Sequence, residues 1–238
     1  MTYPHQGSEP DFTPSAEFHV TDGPRDIGLC FVGDSYVAGV GDPKALGWVS
    51  RVVARTPHTD VRLRSYNLGV AGESSTEVLA RWRQETAPRW APPVNEKRLV
   101  VGFGTNDVEA GMTTARSRLN LANILDDAST TGIAAFVVGP PPTADPDLNQ
   151  RLEVLVDAQA DVCARRRITY VDCFRPLLGH DQWQSDLAAG DGFHPGQAGY
   201  GLIAWLVLHA RSEERFSRNA ETAGEISYAV FCLKKKFF

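Results

Sequence analysis

Five short apolar runs, separated by stretches of helical character, constrain the fold of this chain more than any other feature. The runs occupy residues 27–32, 61–68, 98–103, 134–138 and 168–171. Each has the length of a strand and ends at a glycine or an aspartate. Strands that alternate with helices form a parallel sheet with helices on both of its faces. The sequence therefore predicts an α/β fold built on about five parallel strands.

The remaining stretches divide the chain into one domain and two flanking segments. Apolar residues at helical spacing predict helices at residues 47–55, 74–83, 113–130, 147–166 and 196–211. Residues 177–190 have no clear period and are interpreted as irregular. The predicted domain therefore covers residues 26–211, with an N-terminal arm at residues 1–25 and a tail of unknown role at residues 212–238.

The composition argues against several classes of protein. A net charge of −5 over 238 residues argues against a dedicated nucleic-acid-binding protein. The four cysteines include no Cys-x-x-Cys pair, so neither a zinc knuckle nor a redox motif is indicated. The longest apolar run, residues 201–208, is too short to span a bilayer, and residues 1–24 lack the regions of a secretory signal. These features predict a cytoplasmic protein with no membrane span.

Residues capable of chemistry follow the predicted strands at turns marked by glycine or asparagine. Three such turns, at residues 33–35, 69–72 and 104–107, follow three successive strands. Loops at the carboxyl ends of parallel strands emerge at one edge of the sheet, so we expect the three turns to lie together. A fourth turn, at residues 191–194, follows the fifth strand and opens the last helix. These distant positions can thus form one site.

Ser35, His194 and Asp191 have the residue types of a nucleophilic triad. Ser35 lies at the end of the first strand, where the N–H groups of a following helix can stabilise negative charge. Serine is a weak nucleophile that needs a base, and imidazole, which titrates near neutral pH, makes His194 the candidate. Asp191 can reach the other imidazole nitrogen and stabilise the imidazolium. Taken alone, Ser35 is more typical of a turn serine that caps a helix, so the assignment depends on the combination.

Three further groups can donate hydrogen bonds to an oxyanion. They are the backbone N–H of Ser35, the backbone N–H of Gly72 and the side-chain amide of Asn106. One such donor typically stabilises a transition state by about 3 to 4 kcal/mol. Asn106 alone is also typical of a helix cap, and the glycines of the second turn are typical turn residues. Asp34 and Asp107, beside these groups, are interpreted as structural carboxylates that bind nearby backbone N–H groups.

Four sequence blocks together resemble the SGNH hydrolase superfamily, also called the GDSL esterase/lipase family. The matching residues are Gly33-Asp34-Ser35, Gly72 in the context Asn67-x-x-x-x-Gly72, Gly104-Thr105-Asn106-Asp107, and Asp191-x-x-His194-Pro195. They occur in the family's order within residues 26–211, each after the expected strand. Tyr36 stands where the family name has leucine.

The resemblance implies a three-layer α/β/α sandwich of flavodoxin-like topology. It also implies ester hydrolysis through an acyl-enzyme, with Ser35, His194 and Asp191 as the triad and without a metal or other cofactor. The choice of Gly72 rather than Gly69 as an oxyanion donor rests on the resemblance alone. The expected partner is a small-molecule ester, and the short loops favour short acyl chains. The residues expected to form its pocket are Tyr36, Glu73, Val108, Pro141 and Phe193.

Two alternatives stay open from the sequence. The same site in a carbohydrate O-deacetylase or an acyltransferase would act on a different substrate. Trp48, Trp183 and Tyr36 would then offer stacking surfaces for a sugar, although large aromatic side chains are more often buried. A non-catalytic flavodoxin-like binding domain would instead use the crevice for a small anion or nucleotide without turnover.

Overall fold

A computed structural model of the chain describes residues 25–56, 61–92 and 94–210. The five strands in this part are β1 (Arg25–Gly33), β2 (Val61–Gly69), β3 (Glu96–Gly102), β4 (Ala134–Val138) and β5 (Tyr170–Val171). All neighbouring strands are parallel, and their order is β2-β1-β3-β4-β5. This is the strand order of flavodoxin-like folds, so the predicted fold class is confirmed. The predicted tail, and all but the last residue of the predicted N-terminal arm, lie outside the described residues.

Helices connect these strands throughout the described part of the chain. They are α1 (Ser35–Ala38), α2 (Gly47–Arg55), α3 (Ser75–Thr86), a 3₁₀ helix (Ala87–Trp90), α4 (Thr105–Glu109), α5 (Thr114–Thr130), α6 (Pro146–Arg166), α7 (Asp181–Ala188) and α8 (Gln197–His209). Local sequence sets several of their starts. Ser74 caps α3 in a capping box with Glu77, and Asp145 caps α6 just before Pro146. Within the described ranges, no helix is both long and apolar enough to cross a membrane.

Helices cover both faces of the sheet and produce three layers. Along β1, Leu29 and Phe31 face one side while Cys30 and Val32 face the other, and all four are fully buried. Helices α2, α7 and α8 pack on the first face, and α3, α5 and α6 pack on the second. A strand that is buried on both faces gains nothing from alternating with polar residues, which explains the continuous run at residues 27–32.

The segment interpreted as irregular contains a helix in the structure. Residues 177–190, interpreted as irregular, contain α7. Trp183 and Leu187 lie one turn apart on this helix and are both fully buried, and Trp183 Nε1 donates to Pro142 O at 3.0 Å. Two apolar residues in so short a helix give too weak a period to detect in the sequence. Tertiary packing, rather than local pattern, therefore specifies α7.

Three glycines bring the ends of β1, β2 and β3 together. Gly33 is in register with Gly69 of β2 and with Gly102 of β3. A Cβ at Gly33 would lie 1.8 Å from Gly102 O, so any larger residue would force the strands apart. Val70 N–H donates to Gly33 O at 2.9 Å, and Asp34 N–H donates to Gly102 O at 3.2 Å. Beyond these glycines, the three strands lead into the loops that carry the candidate site.

Candidate active site

Ser35 occupies the first position of α1, directly after the turn that ends β1. Asp34 caps the helix by accepting the Tyr36 N–H at 3.0 Å, and Gly39 ends it one turn later with a left-handed backbone. Ser35 is buried, with 4% of its surface exposed. The first N–H groups of a helix have no acceptor within that helix. The Ser35 N–H is therefore not used by α1.

His194 and Asp191 lie on one turn between α7 and α8. Ser35 Oγ is 2.8 Å from His194 Nε2, although the two residues are 159 positions apart in the sequence. His194 Nδ1 is 2.7 Å from Asp191 Oδ2. A carboxylate can only accept hydrogen bonds, so Nδ1 carries the imidazole proton and Nε2 is left to accept the serine hydroxyl. Three residues singled out in the sequence thus form a continuous hydrogen-bonded chain.

Asp191 is held in place by its own turn. Its Oδ1 accepts the N–H of Phe193 at 2.9 Å and the N–H of His194 at 2.7 Å. Partial burial favours the neutral acid, but these bonds and the imidazole bond to Oδ2 outweigh it and lower the pKa of Asp191 to about 2. The carboxylate is therefore ionised at any pH well above 2, and its charge faces the imidazole.

Asn106 and the loop that carries Gly72 are joined by a direct contact. Asn106 Nδ2 donates to Glu73 O at 2.8 Å. An amide nitrogen has two N–H groups, so a second one remains to donate elsewhere. Gly72 has a φ of +82°, and no atom lies within 4 Å of where its Cβ would be, so backbone conformation rather than space favours glycine. Both loops leave strands that pair with β1, whose carboxyl end leads to Ser35.

The family of this chain follows from its similarity to known proteins. Residues 31–202 match the model of the GDSL-like Lipase/Acylhydrolase family. The match covers more than half of the chain and spans all the candidate residues described above. The chain belongs to this family. It is accordingly an esterase of the GDSL/SGNH type.

Individual proteins with related sequences or folds agree with this family. Esterase TesA of Pseudomonas aeruginosa is 27% identical over 172 residues, which cover 71% of this chain and 80% of TesA. A crystal structure of TesA matches with a TM-score of 0.62 at 24% identity, covering 76% of this chain and 96% of that one. A lipase/acylhydrolase from Enterococcus faecalis gives a TM-score of 0.60 at 23% identity, and the match covers 84% of this chain and 100% of that one. The acetylxylan esterase Axe2 of Geobacillus stearothermophilus shares the fold, with a TM-score of 0.62 at 16% identity. That match covers 78% of this chain and 93% of Axe2.

Two charged residues that the sequence pattern did not indicate hold loops of this GDSL-family site. Arg81 on α3 binds the Glu73 carboxylate from Nε at 2.9 and 2.7 Å, and its Nη2 donates to Gly33 O at 3.2 Å. Asp42 accepts two N–H groups of its own loop, and from α2 it accepts the first N–H and a guanidinium. No local spacing signals the Arg81 contacts. The Asp-Pro pair at Asp42 is a turn signal that the sequence does offer.

The five side chains expected to form the substrate pocket differ in burial. Glu73 and Phe193 are half-buried, whereas Tyr36, Val108 and Pro141 are buried. Tyr36 and Pro141 line a small, mostly apolar cavity beside α1 and the end of β3. The three buried side chains offer little surface to a substrate that arrives from solvent. Glu73 and Phe193 therefore remain the better placed of the five to contact one.

The tryptophans suggested as stacking surfaces for a sugar belong to the core. Trp48 is 1% exposed, and Trp183 is fully buried. Trp48 packs edge-on against Phe31 of β1, with ring centroids 5.6 Å apart. Neither indole presents a face to solvent. Their burial agrees with the commoner role of large aromatic side chains, as core residues, rather than with the stacking role considered as an alternative.

Asp34 and Asp107 bind the backbone around the site, as predicted. Asp34 caps α1, and Asp107 Oδ1 accepts the Ser75 N–H at 2.7 Å while Oδ2 accepts the Ser117 hydroxyl. Burial raises the pKa of Asp34 to about 7, although backbone hydrogen bonds favour its carboxylate form. In the part of the chain that the structure describes, no group of three or more His, Cys, Asp or Glu residues is arranged to hold a metal ion.

Proposed function

We propose that this esterase hydrolyses carboxylic esters with Ser35 as nucleophile, His194 as general base and Asp191 as the residue that orients the base. The supporting observation is the hydrogen-bonded chain from Ser35 Oγ through the imidazole to Asp191 Oδ2, at 2.8 and 2.7 Å. Nucleophilic catalysis by serine needs a base and an orienting group within this reach. Membership of the GDSL-like family supports the reaction class.

In the acylation step, Ser35 Oγ attacks the carbonyl carbon of the ester while His194 Nε2 takes the hydroxyl proton. The ionised Asp191 stabilises the imidazolium that results. The carbonyl oxygen becomes an oxyanion, to which the N–H groups of Ser35 and Gly72 and the amide of Asn106 donate. Collapse of the tetrahedral intermediate breaks the bond to the alcohol oxygen. His194 Nε2 gives its proton to the leaving alcohol.

Water completes the reaction through the same groups. His194 Nε2 removes a proton from a water molecule, and the oxygen of that water attacks the carbonyl carbon of the acyl-enzyme. The oxyanion forms again against the same donors. Its collapse breaks the bond to Ser35 Oγ, which regains a proton from the imidazolium. The carboxylic acid is released and the free enzyme is restored.

We propose short acyl chains for the ester. Short connections border the site, since residues 70–74 join β2 to α3 and two residues join β3 to α4. The site is also open, because the Asp191 side chain is 55% exposed and that of His194 is 19% exposed. A long acyl chain gains binding energy only where it covers apolar surface. The buried Tyr36 and Val108 side chains provide little such surface.

A series of p-nitrophenyl esters from acetate to palmitate tests this function. We expect kcat/KM to be highest for acetate to butyrate and to fall for longer chains. We also expect an organophosphonate to label Ser35 covalently. Folded protein that hydrolyses no ester and takes no label would contradict the proposal and favour a binding domain. Faster release of acetate from acetylated xylose oligomers than from the aryl acetate would instead assign the enzyme to sugar esters.

Replacing Asn106 with alanine is expected to lower kcat by about 10²- to 10³-fold and to change KM little, because an oxyanion donor acts mainly in the transition state. Steady-state kinetics on p-nitrophenyl butyrate measure both quantities. Asn95→Ala is the control, since Asn95 accepts the Asp26 N–H at 2.9 Å at the opposite end of β1. The control should keep the wild-type kcat. A rise in KM with kcat preserved in Asn106→Ala would contradict the assigned role.

A further inference from the structure

Tyr36 makes a contact that the leucine of the family name cannot make. Its hydroxyl donates to Phe193 O at 2.7 Å, across 157 positions of sequence. Its ring also lies against the imidazole of His194, with centroids 5.4 Å apart and planes tilted by 44°. Tyr36 follows Ser35 on α1, and Phe193 precedes His194. The helix of the proposed nucleophile is therefore linked directly to the turn of the proposed base.

The contact closes a ring of four residues. Peptide bonds join Ser35 to Tyr36 on one side and Phe193 to His194 on the other. Two hydrogen bonds complete the ring, from the Tyr36 hydroxyl to Phe193 O at 2.7 Å and between Ser35 Oγ and His194 Nε2 at 2.8 Å. A movement of the turn away from α1 must stretch both bonds. The geometry of the proposed nucleophile and base is therefore coupled to the tyrosine hydroxyl.

Other attachments of this turn lead to different parts of the fold. Gly192 O accepts the Ala144 N–H at 2.8 Å, and the Gly192 N–H donates to Leu187 O at 3.2 Å on α7. The bonds from the turn to Asp191 stay within the turn itself. These attachments fix the turn to α7 and to the loop before α6. None of them reaches α1 itself, although the Tyr200 hydroxyl of α8 donates to Val40 O, just after α1, at 2.6 Å.

We propose that Tyr36 is a positioning residue. Through its hydrogen bond to the backbone of Phe193, it keeps the His194 imidazole within hydrogen-bond distance of Ser35 Oγ. The proposal rests on the proposed function of Ser35 and His194. Tyr36 is 5% exposed, so water competes little for its hydroxyl. Burial, reinforced by the nearby Asp34, raises the pKa of Tyr36 well above its usual value, so the hydroxyl keeps its proton. A leucine can fill the space beside the imidazole but has no hydrogen-bond donor.

The test compares Tyr36→Phe and Tyr36→Leu with wild type and with Tyr170→Phe. The control removes the hydroxyl of Tyr170 on β5, which lies 3.4 Å from Gln159 Oε1 of α6. We expect both Tyr36 variants to lower kcat, normalised to the measured concentration of active sites, by about 10- to 100-fold with KM unchanged. Small misplacements of reacting groups slow the chemical step strongly. The rate constant of inactivation by an organophosphonate should fall by the same factor. Hydrogen exchange in residues 190–196 should become faster in these variants and not in the control.

Several outcomes would overturn the positioning role. An altered KM or chain-length preference with kcat preserved would make Tyr36 a pocket wall. A lower melting temperature with unchanged kcat, inactivation and exchange would make its role purely structural. If wild-type protein neither hydrolyses esters nor takes the label, the proposed function fails on its own terms. In that case the comparison of hydrogen-exchange rates still tests the contact of Tyr36 with Phe193, because it needs no turnover.

Discussion

Ser35→Ala is expected to lower kcat for ester hydrolysis by about 10⁴- to 10⁶-fold and to abolish labelling by an organophosphonate. Ser35 Oγ lies 2.8 Å from His194 Nε2, and alanine leaves no hydroxyl there for the imidazole to activate. The residual rate would come from the oxyanion donors, which can still assist attack by water. Initial rates with p-nitrophenyl acetate, normalised to folded protein, measure the loss.

The fold should survive this substitution. Ser35 is the first residue of a short helix whose cap is the side chain of Asp34, and alanine is a good helix former. Ser129→Ala, on the exposed surface near the end of α5, is the matched control and should retain full activity. Near wild-type turnover in Ser35→Ala would place the nucleophile elsewhere. A phosphonate adduct on another serine would then identify that residue.

The placement of Ser35, Gly72 and Asn106 could be predicted from the sequence because these residues follow strand ends that glycine marks. Gly33, Gly69 and Gly102 align at one edge of the sheet, and the polar residues just beyond them share that edge. The rule that parallel strands present their carboxyl ends together supplies the rest of the prediction. His194 lies beyond β5 and α7, so its place beside Ser35 was predictable from residue type and from the family resemblance rather than from a strand end.

Contacts that depend on side-chain direction could not be predicted in the same way. Tyr36 is predicted to be a pocket residue, but the sequence gives no sign that its hydroxyl donates to a backbone carbonyl, because no sequence spacing marks a carbonyl as a partner. Arg81 reaches both Glu73 and Gly33 from α3, again without a local signal. Helix α7 depends on the burial of Trp183 against residues distant in sequence. In each case tertiary packing, rather than local pattern, decides the outcome.

Asp191→Asn is expected to lower kcat by about 10⁴-fold while the turn stays folded. The Asp191 Oδ1 atom accepts two N–H groups, from Phe193 and His194, and an asparagine oxygen can take that place. Its NH₂ group would then face His194 Nδ1, where the wild type has a carboxylate oxygen at 2.7 Å. Nδ1 would become an acceptor, and the imidazole proton would move to Nε2. In that tautomer Nε2 cannot accept the hydroxyl proton of Ser35, so the base is lost.

Asp172→Asn provides a matched control, because Asp172 has the same local geometry without an imidazole. Its Oδ1 accepts the N–H groups of Phe174 and Arg175 at 2.8 and 3.1 Å, and its Oδ2 binds the Arg175 guanidinium at 2.8 Å. This control should keep the wild-type kcat. The folded-state pKa of Asp191 is lowered from 3.8 to about 2, so its contribution to stability is present above 3.8 and is lost as the pH falls towards 2. The unfolding free energy of Asp191→Asn should therefore lack this dependence on pH between about 2 and 4. Equal turnover in Asp191→Asn and Asp172→Asn would show that Asp191 does not orient the base.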